Sequence, residues 1–515
     1  MFSFIKYAKE NKYILFVSLF TFLLIYLSSF VKSYGYFIDE FYYIACANNP
    51  AFGYVDHPPL APLVLTIFQF VFGDSIYAIR IIPALATSLA VLCTGVLTKE
   101  VGGNKFAQFL AALSVASMPV TLAFGGFYSM NAFEPLLAVL LLLIFVRIIK
   151  TGNLKLWMFA GLIMGIGIMN KHTFGIFIVA LFFSLIVSGK WKIFFNRWVV
   201  VGSLISLIII LPNILWQIAN DFPSLEFYRN ISKDKNVYTP PVAFILGQVM
   251  QMSPSTVPIW LAGTFVFLFS KKVKDFRFLS ILFLSLFLFM MISGTSRSDR
   301  LAFAYPAVFA GGAIFFENIL SSKNLIWLRY VLVVLLITGI GLAIPVILPY
   351  FDYSTVKSHT EFLGLNTEIE KGKKPPIPQL LADRIGWEDK VKLVVSAYNS
   401  LTEKEKKQSI IAAGNYGQAG AIELYGKPYN LPPVACAHNN YYLWSKNRIQ
   451  GNIVLQLDND VSYQGFSRLF EKVDVYPGTF KNNYVSSHEN NLVVFICREP
   501  KMPPIEMLER SKNFN

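Results

Sequence analysis

Over its first 350 residues the chain alternates apolar runs of roughly 16 to 20 residues with short polar turns. A run of that length matches a helix crossing the hydrocarbon core of a bilayer, and a soluble core rarely needs so many. Eleven spans fit the pattern: 13–31, 76–98, 106–124, 133–149, 156–170, 173–188, 198–216, 256–270, 277–293, 301–318 and 330–349. The first follows Lys6, Lys9 and Lys12. It is longer than the apolar core of a signal peptide and has no small-x-small cleavage site, so it is expected to stay in place as a span.

Past Pro349 the pattern changes to short alternating runs with mixed charge. Strands are predicted at 409–413, 452–457, 473–475 and 492–497, and helices at 387–401 and 418–425. The second helix opens after Gly414-Asn415-Tyr416-Gly417. The chain therefore divides into a membrane domain (1–350), a linker (351–382) that holds Lys374-Pro375-Pro376-Ile377-Pro378, and a small α/β domain (383–515). No internal repeat or low-complexity tract interrupts this order.

Composition supports the membrane reading: of 515 residues, 55% are hydrophobic and 15% charged. The formal charge of +14 would suit nucleic acid, but in a membrane protein Lys and Arg concentrate in cytoplasmic loops. With the N-terminus inside, the inner loops hold 17 cations, among them Lys99, Arg147, Lys190, Lys271 and Lys323, and the outer loops 7. Those seven are Lys32, Lys171, Arg229, Lys233, Lys235, Arg297 and Arg300. This bias accounts for the charge without nucleic acid and puts the α/β domain outside. Four cysteines are too few for a disulfide scaffold, although Cys436 and Cys497 could form one bridge. The 47 phenylalanines suit lipid-facing and core packing better than base stacking.

Charge near the membrane is costly and asks for a reason. On this topology the residues of most chemical interest gather outside. The first outer loop carries Asp39-Glu40 and Asp56-His57, the second turn Asn131 and Glu134, the third Lys171 and His172, and the fifth Arg297, Asp299 and Arg300, while Arg80 lies about one turn inside the second span. Each admits a plain reading. Asp39-Glu40 could be a solvated acidic pair, Asp56-His57 a capped turn before Pro58-Pro59, Glu134 a helix-start charge, and Arg80 or Lys171 a snorkelling cation. Their shared side favours chemistry: a carboxylate to take a hydroxyl proton, and cations to hold a departing phosphate. No Gly-rich phosphate loop and no Cys-x-x-Cys or His-Glu-x-x-His metal motif is present.

Several segments, taken in order, carry a resemblance. They are Asp39-Glu40-Phe41-Tyr42-Tyr43, Asp56-His57-Pro58-Pro59-Leu60, Arg80-Ile81-Ile82-Pro83, Tyr128-Ser129-Met130-Asn131-Ala132-Phe133-Glu134-Pro135, Asn170-Lys171, Leu211-Pro212-Asn213 and Ala304-Tyr305-Pro306-Ala307. The chain resembles the GT-C superfamily of membrane glycosyltransferases, in its bacterial family-39-like branch, related to protein O-mannosyltransferases and the lipid A aminoarabinose transferase. The resemblance implies a polytopic α-helical membrane protein of about 11–13 transmembrane helices, with interfacial helices in the first outer loop and a C-terminal periplasmic α/β domain. It implies a bacterial inner-membrane enzyme with a cytoplasmic N-terminus. The reaction implied is an inverting transfer from a polyprenyl (undecaprenyl) phosphate sugar to a lipid, glycan or protein hydroxyl on the periplasmic side.

On this resemblance Asp39 is the base with Glu40 as its catalytic neighbour, and Lys171 faces the carrier phosphate, with Arg80, Arg297, Arg300 and His57 as further donor-phosphate ligands. His57 stands where some relatives carry Lys, and Glu134 where many carry Asp. Some relatives place a divalent metal near these carboxylates, which here would make Asp56 and Glu134 its ligands. Similar tail segments, Gly414 to Ala421 and His438-Asn439-Asn440-Tyr441-Tyr442, suit either acceptor recognition or the packing of a lid domain. A transporter or flippase, or a non-catalytic binding module for lipid-linked sugars, is the alternative reading. A transporter would want charges at mid-depth and paired repeats, and neither is apparent.

Overall fold

The computed structural model describes residues 12–231, 238–294, 297–321, 324–365 and 375–515. Lys6, Lys9, Lys233, Lys235 and Lys323, used above to orient the chain, lie outside the described residues, as do 366–374 of the expected linker.

Among the described residues six helices are long and apolar enough to cross a membrane: Lys12–Phe30, Ile76–Glu100, Met130–Thr151, Arg197–Ala219, Ser298–Ile319 and Trp327–Ile347. Two bent pairs raise the number to eight if each is one span: Lys105–Ala116 with Pro119–Gly125, at 66°, and Pro241–Gln251 with Pro254–Phe269, at 92°. Leu154–Asn170, Phe174–Val187 and Phe278–Ser293 are shorter apolar helices. Together these account for the eleven segments read from the sequence, in a multi-pass membrane protein. Prolines explain both breaks, because Pro119 and Pro254 each start the second arm, where no backbone N–H is needed.

Helix packing follows membrane rules rather than soluble ones. A Cβ on Gly263 would lie 1.7 Å from the Val308 carbonyl oxygen, so helices Val257–Phe269 and Tyr305–Ile319 touch backbone to backbone. Large apolar side chains point outward instead, among them Val200, Leu204, Ile208 and Leu215 on Arg197–Ala219.

The first outer loop folds into two helices, Ile38–Asn48 and Leu60–Phe72. The second has 13 residues, about 20 Å, too short for the roughly 30 Å hydrocarbon core. Ala61 and Leu65 face inward while Ile67, Phe70 and Val71 are exposed, the habit of a helix lying in the interface.

The C-terminal domain carries a five-stranded sheet: β1 (Ser409–Ala413), β2 (Val434–Cys436), β3 (Ile453–Asn459), β4 (Phe470–Val475) and β5 (Leu492–Pro500), in the order β2-β1-β3-β5-β4. The first three run parallel, and β5 pairs antiparallel with β3 and β4. Its helices Trp387–Asn399 and Tyr416–Tyr425 match those expected. Strand β2, three residues long, had no alternating pattern to announce it. The segment expected as a linker contains helices Tyr353–Phe362 and Gln379–Ala382, and Ile377 and Leu381 are fully buried. All four cysteines are buried and free, so the Cys436–Cys497 bridge is not formed.

One apolar core joins the C-terminal sheet to the first outer loop: Phe41, Tyr43 and Ile44 pack in the same cluster as Val391, Ile411, Ala419 and Leu455. Beside it sits a buried ion pair, Lys390 Nζ to Glu489 Oε2 at 2.6 Å, with Lys390 3.8 Å above the Trp387 ring. Asn415 Nδ2 donates to Glu489 Oε1 at 2.8 Å. Burial pushes the Glu489 carboxyl up, but Lys390 and the hydrogen bonds outweigh it and the net direction is below the usual range. Such a group stabilises the fold above the pH where an unfolded glutamate titrates, about 4.3, and that contribution is lost as pH falls through the depressed folded value. Glu489→Gln is expected to cost about 3 kcal/mol at neutral pH by stranding the Lys390 ammonium. Thermal unfolding in detergent should show a lower midpoint at pH 7 and a smaller drop on acidification than wild type. Equal midpoints at pH 7 would refute this account of the pair.

Candidate active site

The site is built from turns at one end of the helix bundle, beneath the C-terminal domain. The other end carries ordinary surface ion pairs, Glu100 with Arg147 and Lys150, and Lys190 with Asp275.

Helix Ile38–Asn48 supplies the first carboxylates, both in its first turn. Successive helical residues point about 100° apart, so Asp39 and Glu40 cannot share a direction. Glu40 turns inward and is fully buried. Its Oε2 accepts from Arg80 Nη2 at 2.7 Å and from the Phe37 N–H at 2.8 Å; its Oε1 accepts from Arg80 Nε and from the Tyr128 N–H, each at 2.9 Å. Arg80 Nη2 also donates to the Gly35 carbonyl at 3.0 Å. With four donors on one carboxylate, Glu40 has no geometry for acceptor chemistry. Glu40, expected as a catalytic neighbour, and Arg80, expected as a phosphate ligand, are paired with each other in this structure. Asp39 points away from that pair, half-buried, and its Oδ1 accepts from the Tyr416 hydroxyl of the C-terminal domain at 2.9 Å.

His57 is buried too. Its Nδ1 lies 2.9 Å from the Pro58 carbonyl and its Nε2 4.0 Å from Cys46 Sγ, with the ring stacked on Tyr43 at 4.9 Å. The structure thus places His57, expected as a phosphate ligand, among packed aromatic rings. Its neighbour Asp56 is half-buried and accepts from the Tyr42 hydroxyl at 2.7 Å.

The second and third outer turns meet at Lys171. Its ammonium donates to Glu134 Oε2 at 2.9 Å and to Asn131 Oδ1 at 3.0 Å. Two backbone anchors hold this place: the Met130 N–H donates to the Tyr43 hydroxyl, and Asn170 Nδ2 donates to the Met130 carbonyl. A cation already sits on Glu134, and among the described residues no three His, Cys, Asp or Glu side chains converge as a metal site. The residues present therefore do not fit the metal pair expected of Asp56 and Glu134, because Lys171 occupies the carboxylate that an ion would need.

Arg297 forks onto Asp299 at 3.1 and 2.9 Å. Arg300 lies within electrostatic reach of Asp299, Glu134 and Tyr228, and Lys171 within reach of Asp299. The fifth outer loop thus adds its cations to the Lys171 cluster.

Tyr228, on helix Pro223–Asn230, carried no signal in the sequence. It is delivered by a turn with two left-handed residues, Asp221 (φ 60°) and Phe222 (φ 52°), held by Gln217, whose carbonyl takes the Phe222 N–H at 2.7 Å. Burial, reinforced by Asp56, pushes the Tyr228 hydroxyl well above its usual range, so it stays a donor. It meets His172 Nδ1 at 3.3 Å. Because Asn213 Nδ2 is spent on the Phe52 carbonyl, Asn213 Oδ1 faces His172 Nε2 at 3.0 Å. This network assigns the proton to Nε2, and burial holds the imidazole below its usual range, in its neutral form.

A family model described as dolichyl-phosphate-mannose-protein mannosyltransferase matches residues 56–216, which contain Asp56, Glu134 and Lys171. Two curated relatives share part of the chain. Undecaprenyl phosphate-alpha-4-amino-4-deoxy-L-arabinose arabinosyl transferase 2 of Pseudomonas fluorescens is 25% identical over 334 residues, 61% of this chain and 55% of that one. The corresponding transferase of Pseudomonas savastanoi pv. phaseolicola is 27% identical over 121 residues, 23% of each. The chain thus spans about half the length of the first and under a quarter of the second. Among solved structures, ArnT from Cupriavidus metallidurans bound to undecaprenyl phosphate superposes with a TM-score of 0.63 at 11% identity, over 94% of this chain and 98% of that one. An oligosaccharyltransferase from Archaeoglobus fulgidus gives 0.51 at 13%, over 99% and 78%.

Removing one partner of a buried ion pair strands the other at a cost of about 3–5 kcal/mol. Arg80→Met is expected to lower the thermal unfolding midpoint far more than Arg510→Met, whose pair with Glu506 is exposed and worth under about 1 kcal/mol. Differential scanning fluorimetry of both variants checks this, and similar midpoints would contradict the scaffold placement of Arg80.

Proposed function

We propose that this chain, a member of the GT-C superfamily of membrane glycosyltransferases by fold and local sequence, moves a sugar from a polyprenyl-phosphate carrier to a hydroxyl acceptor in the cell envelope. The reaction takes place on the membrane face that bears the C-terminal domain. The observation that carries this reading is the placement of Asp39 and of the Lys171, Glu134 and Arg300 cluster at the same end of the bundle, beneath the C-terminal domain. The relatives support undecaprenyl phosphate as the carrier: two are named for it, and a structure of similar fold is bound to it. The excess of cations in the opposite loops supports a cytoplasmic N-terminus and a periplasmic site.

In the reaction so read, Asp39 takes the acceptor hydroxyl proton as the new acceptor O–C1 bond forms. The C1–O bond to phosphate breaks on the opposite face of the sugar, which inverts the anomeric centre. Polyprenyl phosphate leaves with the bonding electrons. Lys171 receives that charge: an ammonium has three N–H donors, and Asn131 and Glu134 take two of them. Arg300 adds a second cation. Low dielectric strengthens both interactions at the moment charge develops. Glu40 and Arg80 do no chemistry; they hold the turn from which Asp39 projects.

Asp39→Asn is expected to cut sugar transfer by about 10²–10⁴-fold while undecaprenyl phosphate still binds. Lys171→Met should instead weaken carrier binding by about 10–100-fold, the loss of one charge-assisted contact. Transfer into envelope extract, with carrier affinity measured by native mass spectrometry, separates the two effects. Full transfer by Asp39→Asn would remove it from the base role.

A further inference from the structure

The Tyr416 helix (Tyr416–Tyr425) does not merely rest on the membrane domain. A Cβ on Gly420 would sit 2.8 Å from Phe41 Cβ and 2.9 Å from the Phe41 carbonyl oxygen; one on Gly417 would sit 2.2 Å from Ile38 Cγ1. Only glycine allows this approach, so the helix is set against Ile38–Asn48 at backbone distance. Its N-terminus is fixed as well: Asn415 caps it through the Gln418 N–H and is held in turn by the buried Glu489. The residue between cap and contact is Tyr416.

Tyr416 donates to Asp39, and its ring lies 4.9 Å from that of Tyr42, whose own hydroxyl donates to Asp56. His438 flanks Tyr416 at 4.7 Å. The Tyr42 hydroxyl accepts from the Asn440 N–H at 3.2 Å, and Asn440 Oδ1 accepts from the Val55 N–H at 3.2 Å. Two neighbouring rings, one from each domain, thus hold the two half-buried carboxylates of the first outer loop.

We propose that Tyr416 is a positioning residue for the transfer reaction, so that the C-terminal domain completes the active site by fixing the side chain of Asp39. The inference rests on Asp39 acting as the base. An aspartate in the first turn of a helix has freedom about both side-chain torsions. A hydroxyl on Oδ1 from a rigidly mounted neighbour removes that freedom and leaves the carboxylate presented in one orientation to an incoming acceptor. Errors of about 1 Å in such placement cost on the order of 100-fold in rate. The hydroxyl is made to act at the chemical step and not in carrier binding, because Lys171 and Arg300 stand on other loops.

The test compares full-length wild type, Asp39→Asn, Tyr416→Phe and Lys427→Ala in detergent, reading initial rates of undecaprenyl phosphate release with envelope extract as acceptor. Lys427→Ala breaks an exposed ion pair between the same two domains, Lys427 with Asp74, without touching Asp39. Tyr416→Phe keeps the ring contact with Tyr42 and should melt with wild type. Its kcat should fall about 10–100-fold with donor KM within about twofold, and Lys427→Ala should match wild type. A Tyr416→Phe enzyme with wild-type kcat beside an inactive Asp39→Asn would overturn the inference and leave the transfer reading standing. Loss of rate in both Tyr416→Phe and Lys427→Ala, with lowered melting, would also overturn it by reducing the tyrosine to a docking contact. Turnover by Asp39→Asn, or none by wild type from any undecaprenyl-phosphate sugar, would overturn the reading and the inference together.

Discussion

A carboxylate and a guanidinium, both almost completely removed from solvent, hold together the end of this molecule that meets the C-terminal domain. Glu40 and Arg80 meet through two hydrogen bonds, and the remaining lone pairs of Glu40 take the backbone N–H groups of Phe37 and Tyr128. The pair ties the first outer loop to the second span and to the turn that leads to Glu134. Buried charge is tolerated only when it is fully satisfied, so the three segments cannot move independently. The same geometry divides the acidic dipeptide: with Glu40 committed inward, Asp39 projects toward the C-terminal domain.

That division could not be read from the sequence. Asp39-Glu40, Asp56-His57, Glu134, Lys171 and the two arginines of the fifth loop were legible as a group because charge near the membrane is costly and these residues share one side. The apolar runs likewise located the span helices, and the alternating runs four of the five strands. Orientation about each helix was not legible. His57 and Arg80 have the residue types of phosphate ligands, yet one is walled in by tyrosines and the other is spent on Glu40. Tyr228 stood in a polar loop with nothing to distinguish it until a left-handed turn aimed it at His172. Leu60–Phe72 was absent from the spans because it is too short to cross, and only the resemblance, not the apolar pattern, anticipated interfacial helices in that loop.

The C-terminal domain is usually the easier part of such a chain to treat as an appendage. Here its core is continuous with the first outer loop, through Phe41 and Ile44 on one side and Ala419 and Leu455 on the other. Glycines at 417 and 420 permit the approach, and the Lys390–Glu489 pair fixes the helix that makes it. Stability of the domain and geometry at Asp39 are therefore linked through Asn415.

The central claim, transfer from a polyprenyl-phosphate sugar on the face that carries the C-terminal domain, is tested most directly in proteoliposomes of known orientation. Protease accessibility of the C-terminal domain identifies the outward-facing population, and labelled undecaprenyl-phosphate sugar is supplied to the outer leaflet alone with acceptor outside. Release of undecaprenyl phosphate in step with the fraction of outward-facing C-terminal domains is the result expected. Release that instead follows the inward-facing fraction, or none from a leaflet that still binds the carrier, would contradict it.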